Sequence, residues 1–150
     1  PVLFNVRFAM NLVTSIHDYI RKKGGHFFRD WTREALEDKI EFHLQDDTIS
    51  IAIDHDGNVC GVLIGWCQRG SEHIPWKWQH NNTITGDTWW IDQFMADCPC
   101  VAASLAVKFC EKWPQIAHMP TAMHRRGKLK KAPPGYLFKV YKKAETLYGN

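Results

Sequence analysis

The stretch from Ile84 to Trp113, ITGDTWWIDQFMADCPCVAASLAVKFCEKW, constrains the fold more than any other, because its period changes once and in a definite order. Gly86-Asp87 is a turn signal, and Thr88 to Met95 is an apolar, aromatic-rich run of strand character. A short loop containing Pro99 covers Ala96 to Cys100. Val101, Ala102, Leu105, Ala106, Phe109 and Trp113 then recur at spacings of three and four, the period of a helix with one apolar face. Pro99 suits the first turn of that helix, where a missing N–H costs nothing. A strand that leads through a tight loop into a helix N-terminus offers unpaired amides and the positive end of a dipole, which together favour an anion. The stretch is therefore a candidate phosphate site, although most strand–loop–helix units bind nothing.

A hairpin precedes it. Thr48 to Asp54 (TISIAID) alternates with period two, His55-Asp56-Gly57-Asn58 has strong turn chemistry, and Val59 to Cys67 (VCGVLIGWC) returns as a near-continuous apolar strand suited to the middle of a sheet. Gly61 and Gly65 inside that strand predict a bulge or a close backbone approach. Upstream, Pro1 to Asn5 reads as a short first strand, and Phe8, Leu12, Ile16 and Ile20 then mark a helix that Gly24-Gly25 stops. His17, near the apolar face, reads as a partly buried structural histidine. After an aromatic connector, His26 to Trp31, Thr32 caps a second helix whose stripe is Leu36, Ile40 and Leu44 and which Asp46-Asp47 ends. Gln68 to Thr83 is a long polar connection containing Ile74-Pro75-Trp76-Lys77-Trp78, suited to stacking on bases, gripping an acyl chain or peptide, or folding back as a lid.

Beyond Trp113, Ile116 to Met123 reads as a strand confined to an edge or broken at Pro120, and Tyr136 to Tyr141 as a last strand after a basic loop. The order is strand, helix, helix, hairpin, central strand, helix, strand, basic loop, strand. That predicts an α+β fold, one domain over residues 1–150, with a mixed, mostly antiparallel sheet and helices packed on its faces.

Composition narrows the function classes. At 150 residues, 45% hydrophobic and 23% charged, the chain can bury a real core and is not of disordered type. Its apolar runs fall far short of the roughly 20 residues that span a bilayer, and the opening residues lack the order of a secretion signal. Five cysteines, spread through expected strands and a helix, do not make a disulfide framework, so the expected compartment is the cytoplasm with thiols reduced. Cys98-x-Cys100 is too close for an ordinary zinc pair and His73 with His80 lack a third ligand, so no structural metal is expected. Charge is lopsided. Of 19 basic and 16 acidic residues, eight Lys/Arg and only Glu145 follow Met123, which leaves the first 123 residues with 11 basic against 15 acidic. Arg125, Arg126, Lys128, Lys130 and Lys131 lead that basic segment, which fits an anionic partner such as coenzyme phosphates or nucleic acid, or a solvated tail.

Thr85 to Ala96, TGDTWWIDQFMA, resembles the central strand of the toxin-activating lysine acyltransferases, a branch of the GNAT acyltransferase superfamily. The expected order of elements is also GNAT-like. The resemblance implies an N-acyltransferase that passes an acyl group from acetyl-CoA or another acyl-CoA directly to an amine on a protein lysine or a small molecule. It implies that backbone groups of Phe94, Met95 and Ala96 pair with the pantetheine arm and that the amides of Val101, Ala102 and Ala103 face the pyrophosphate. Arg125 and Arg126 would hold phosphates bidentately. Asp92 matches a strand aspartate that works beside a catalytic histidine. The family's N-terminal histidine motif is absent here, so His26, or else His17, stands in as the general base. Asp97-Cys98-Pro99-Cys100-Val101-Ala102-Ala103 occupies the place of the superfamily's glycine-rich phosphate loop. That departure favours a second class, a non-catalytic protein of the same fold that binds nucleic acid through its basic third. Short divergent chains of this kind are common in phages and small viruses, an analogy at the level of fold alone.

Overall fold

The hairpin and the strand–loop–helix unit meet in one sheet. The computed structural model describes residues 2–24, 28–70, 86–125, 128–133, 139 and 142–143, with the backbone alone at residues 2–10 and 125. Helix α1 (Val2–Lys23) is followed by α2 (Arg33–Asp46), β1 (Ile49–Ile53), β2 (Val59–Gln68), β3 (Thr88–Ala96), α3 (Pro99–Lys112), a 3-10 turn (Pro114–His118), β4 (Thr121–Arg125) and β5 (Lys128–Ala132). The five strands lie in chain order across an open sheet. All neighbours are antiparallel except β3 and β4, which run parallel, with α3 making the crossover between them. The fold is the expected α+β type, and the two anchoring units pair directly through β2 and β3.

Each helix carries the residues its place demands. Thr32 Oγ1 accepts the Ala35 N–H at 3.1 Å and caps α2. Asp47 ends that helix in the left-handed region, at φ 59°. In the turn after β1, Asp54 Oδ1 accepts the N–H groups of Asp56 and Asn58 at 2.9 Å each, and Gly57 supplies a φ of 85°. Helices α1 and α2 cover one face of the sheet, where Val13, Ile16, Ile20, Leu36 and Ile40 pack on Val62, Ile64, Trp66, Trp90 and Ala122. Helix α3 covers the other, with Leu105, Ala106 and Phe109 against Leu63, Cys67, Trp89 and Ile91. That is why β2 reads as a continuous apolar run: both its faces are buried. Helix α3 also reaches past the sheet, where Lys112 Nζ donates to the Ile49 carbonyl at 2.6 Å and Lys108 Nζ to that of Ile51 at 3.2 Å.

Four expectations need correction. Val2 to Asn5 are helical rather than extended, because Phe4 continues the four-residue step of Phe8, Leu12, Ile16 and Ile20 with no breaker between them. Ile116 to Pro120 are not strand. Pro114 starts a 3-10 turn that buries Ile116 and Ala117, and β4 begins only after Pro120, whose carbonyl accepts the Trp89 N–H at 2.9 Å. The break expected at Pro120 is thus there, and β4 is no edge: β5 pairs along its outer side and is the last strand among the described residues. The basic loop contains that strand: Lys128 to Ala132 bond to β4 through the main chain, which requires no apolar pattern in the side chains. Within Tyr136–Tyr141, Lys139 is helical, as are Lys142 and Lys143 beyond it, and the rest of that stretch lies outside the described residues. So do Gly25 to Phe27 and most of the long connection after Gln68. No helix among the described residues is long and apolar enough to cross a membrane.

The strand glycines have separate reasons. A Cβ on Gly61 would lie 2.6 Å from Val101 Cγ1 and 2.9 Å from Leu105 Cδ1, so α3 seats directly on that backbone. A Cβ on Gly65 would meet Trp89 Cζ2 at 2.8 Å and the Trp90 carbonyl oxygen at 2.9 Å. Backbone cannot swing aside as a side chain can, so Gly65→Ala should cost about 1–3 kcal/mol by overpacking. Urea denaturation measures it, and a loss below about 0.5 kcal/mol would show that the sheet yields at this point.

Candidate functional site

The register of β3 changes at one residue. Ile64 of β2 pairs with Gln93, and the next residue, Gly65, pairs with Ile91, so Asp92 is the extra residue of a bulge. An inserted residue reverses which side chains face which side. Trp89 and Ile91 face α3 before the bulge, whereas Phe94 and Ala96 do so after it and Met95 turns to the α1 side. The same position ends the pairing on the other flank. The β3–β4 ladder joins Trp89, Trp90 and Ile91 to Thr121, Ala122 and Met123 and then stops, although β3 continues to Ala96 and β4 to Arg125. Among the described residues, the β3–β4 ladder gives no partner to the edge of β3 from Gln93 to Ala96 that faces away from β2.

Asp92 at the bulge forms an ion pair with Lys39 of α2, Oδ2 to Nζ. Both side chains are almost closed off, at 8% and 4% exposure. The Lys39 ammonium also lies 5.7 Å from the centroid of the Phe28 ring and 5.4 Å from that of Trp31, within cation–π range. Those two rings meet edge to face at 5.4 Å. Arg21 of α1 pins the segment that carries them by donating to the carbonyls of Phe28 and Trp31. One turn along α2, buried His43 stacks on Trp66 at 5.3 Å, with Nδ1 2.7 Å from Thr48 Oγ1. Burial first, and then the Lys39 charge, push the His43 imidazole down to about 3, against a smaller opposing pull from Asp92. His43 is thus neutral at physiological pH.

The end of β3 is tied to α1. Asp97 Oδ1 lies 3.0 Å from the Tyr19 hydroxyl and 3.1 Å from Lys23 Nζ, and Tyr19 also reaches the Cys60 carbonyl at 3.0 Å. Hydrogen bonds from Lys23 and then Tyr19 hold the Asp97 carboxyl below its usual range, while burial and then Asp97 raise the Tyr19 phenol. Cys98 is the N-cap of α3 and Pro99 its first residue. The Ala102 N–H closes the first turn on the Cys98 carbonyl at 3.1 Å, and Ala103 follows, buried, inside the helix. Pro99 has no amide, and those of Cys100 and Val101 turn to the Cys98 sulfur. Of the expected anion set of Val101, Ala102 and Ala103, the Ala102 amide is committed within the helix.

Phe94, Met95 and Ala96 are half-buried on the unpaired edge, immediately before that terminus. Arg125 ends β4 opposite Lys128 of β5; its side chain, all of Arg126 and all of His26 lie outside the described residues. Lys128, Lys130 and Lys131 are exposed on β5. His17 is buried and hydrogen-bonds Asp18 at 2.9 Å, with Arg21 Nε 3.3 Å from its other nitrogen. Sequence reasoning missed Lys39, although its signal was present: it lies between Leu36 and Ile40 on the buried stripe of α2, where a lone cation needs a counter-ion. Among the described residues no three His, Cys, Asp or Glu side chains gather as a metal site. No protein-family model matches the chain, and no curated protein matches it significantly.

Removing one partner of a closed-off ion pair leaves the other charge buried. Lys39→Met and Asp92→Asn should each cost about 3–5 kcal/mol in urea denaturation, and the double variant should cost less than the sum of the two. Strict additivity would show that the pair is not coupled. His43 makes a separate pH signature. The unfolded imidazole takes a proton near pH 6.5 and the folded one only near 3, so this contribution to stability is complete above about pH 6.5 and is lost as pH falls toward 3. Between pH 6.5 and about 5, above most carboxylate titration, His43→Gln should flatten the fall in stability. An unchanged slope would remove His43 as its source.

Proposed function

We propose that this chain is an N-acyltransferase with a GNAT-type fold, transferring an acyl group from coenzyme A or another acyl carrier directly to an amine. The observation that carries the reading is the edge of β3 beyond the Asp92 bulge, unpaired among the described residues from Gln93 to the loop before α3. An arm that contains amides can hydrogen-bond such an edge as an added strand does, here through the main chain of Phe94, Met95 and Ala96. The positive end of the α3 dipole favours an anion beyond that edge, and Arg125 and Arg126 are the side chains suited to phosphates.

The acyl thioester supplies an activated carbonyl carbon. The chain's own tasks are to hold the amine in line with that carbon, accept the proton it loses and donate hydrogen bonds to the carbonyl oxygen. His26 is the candidate base, because an imidazole titrates near neutrality. Asp92, closed off against Lys39, serves in this reading by fixing the bulge and hence the direction of the next main-chain groups. The segment Cys98-Pro99-Cys100 offers fewer free amides than a glycine-rich loop, so a larger share of phosphate affinity falls to the two arginines.

A second reading, a non-catalytic protein that binds nucleic acid through Arg125, Arg126, Lys128, Lys130 and Lys131, has its own support. The three lysines are exposed on an edge strand, where a phosphate backbone has access to them. Thermal denaturation with coenzyme A or acetyl-CoA separates the two. Ligand at about a hundred times its dissociation constant should add roughly 2.7 kcal/mol, and Arg125→Ala with Arg126→Ala should reduce that gain. Transfer of the acyl group to a lysine-containing peptide should accompany it. A folded protein with no shift at about 1 mM coenzyme, and with salt-sensitive binding to single-stranded nucleic acid, would overturn the acyltransferase reading in favour of the second.

A further inference from the structure

Cys98 and Cys100 flank Pro99 at the start of α3, and their sulfurs lie 2.8 Å apart. Pro99 fixes its own φ and so removes one freedom from the turn between the two thiols. Cys100 is exposed and Cys98 half-buried, so both are within reach of a small reagent. The other three cysteines differ on each count. Cys60 and Cys67 are buried in the core and Cys110 is partly covered on α3.

We propose that Cys98 and Cys100 form a thiol–disulfide exchange site that closes to an internal disulfide when it meets a low-molecular-weight disulfide such as oxidised glutathione. The Cys98 thiolate attacks one sulfur of the reagent, whose S–S bond breaks and releases one thiolate; a mixed disulfide remains on Cys98. The Cys100 thiol gives its proton to solvent and attacks Cys98 Sγ, expelling the second thiolate. Two protein thiols are oxidised and one reagent disulfide is reduced to two thiols, so atoms and electrons balance.

The electrostatics assign the order. The Cys100 thiol first, and then the Val101 amide, hold the Cys98 thiol below its ordinary value, while the neighbouring Cys98 sulfur raises Cys100. Of the two, Cys98 is therefore the sulfur with the greater thiolate character and attacks first, and Cys100 is the one that resolves. Burial raises the thiols of Cys60, Cys67 and Cys110 instead, that of Cys67 to about 12. None of the three is a comparable nucleophile.

The test treats the native chain and its Cys98→Ser and Cys100→Ser variants with excess oxidised glutathione, followed by intact-mass and peptide measurement. The native chain should lose two hydrogens, keep no glutathione and regain both thiols with dithiothreitol. Cys100→Ser should accumulate glutathione on Cys98, and Cys98→Ser should acquire it at least about tenfold more slowly. A native chain that retains glutathione on Cys98 beside a free Cys100, a disulfide that includes Cys110, or equal rates in the two variants would each overturn the proposal.

Discussion

One ion pair holds the centre of this molecule together. Asp92 is the extra residue that bends β3, and Lys39 is the only buried lysine among the described residues. Each would be untenable alone in its surroundings, an apolar strand on one side and the buried stripe of a helix on the other. Together they join α2 to the sheet at the point where the strand alternation reverses. Phe28 and Trp31 lie against the ammonium, and Arg21 holds the main chain that carries them, so α1 is drawn into the same arrangement. Such a pair contributes less to net stability than to uniqueness: a shift of β3 by one residue would leave both charges unpaired.

The bulge also divides the sheet by function. Before it, β3 is buried between two strands and two helical layers, and its tryptophans are core. After it, the same strand has an edge without a strand partner among the described residues, half-exposed side chains and a helix N-terminus at its end. Chemistry that needs main-chain hydrogen bonds has room only in the second half. The three-residue parallel ladder is what makes that second half available, because a longer ladder would use the donors and acceptors that a ligand requires.

Much of the architecture is legible from residue patterns. The hairpin about Asp56-Gly57 follows from alternation and turn chemistry, and the β3–α3 unit from a change of period at Pro99. What escaped is where tertiary contact overrides local signal. Val2 to Asn5 carry no mark that separates the start of a helix from a short strand, and only the row continued by Phe4 decides it. Lys128 to Ala132 look like a solvated charge run because an edge strand paired on one side through its main chain needs nothing from its side chains. At the site, Asp92 stood out as an acid in an apolar strand, whereas Lys39 was hidden as one charge among many in α2. Neither spacing nor composition says that the two lie opposite one another. The closeness of Cys98 and Cys100 is local, by contrast, and their three-residue segment already contains it.

The two rims of the sheet have one property in common. An open sheet leaves a row of unpaired main-chain groups on each outer strand, to which another chain can add. On β1 two of the carbonyls are taken by Lys108 and Lys112, which arrive from α3 rather than from the strand itself. On β5 the lysines belong to the strand and stand exposed along it. Both rims are therefore guarded by ammonium groups, one set satisfying carbonyls and the other repelling a second copy. Resistance to strand-by-strand self-association in this protein thus resides in five lysines, and any modification that neutralises them changes the colloidal behaviour of the molecule without touching its core.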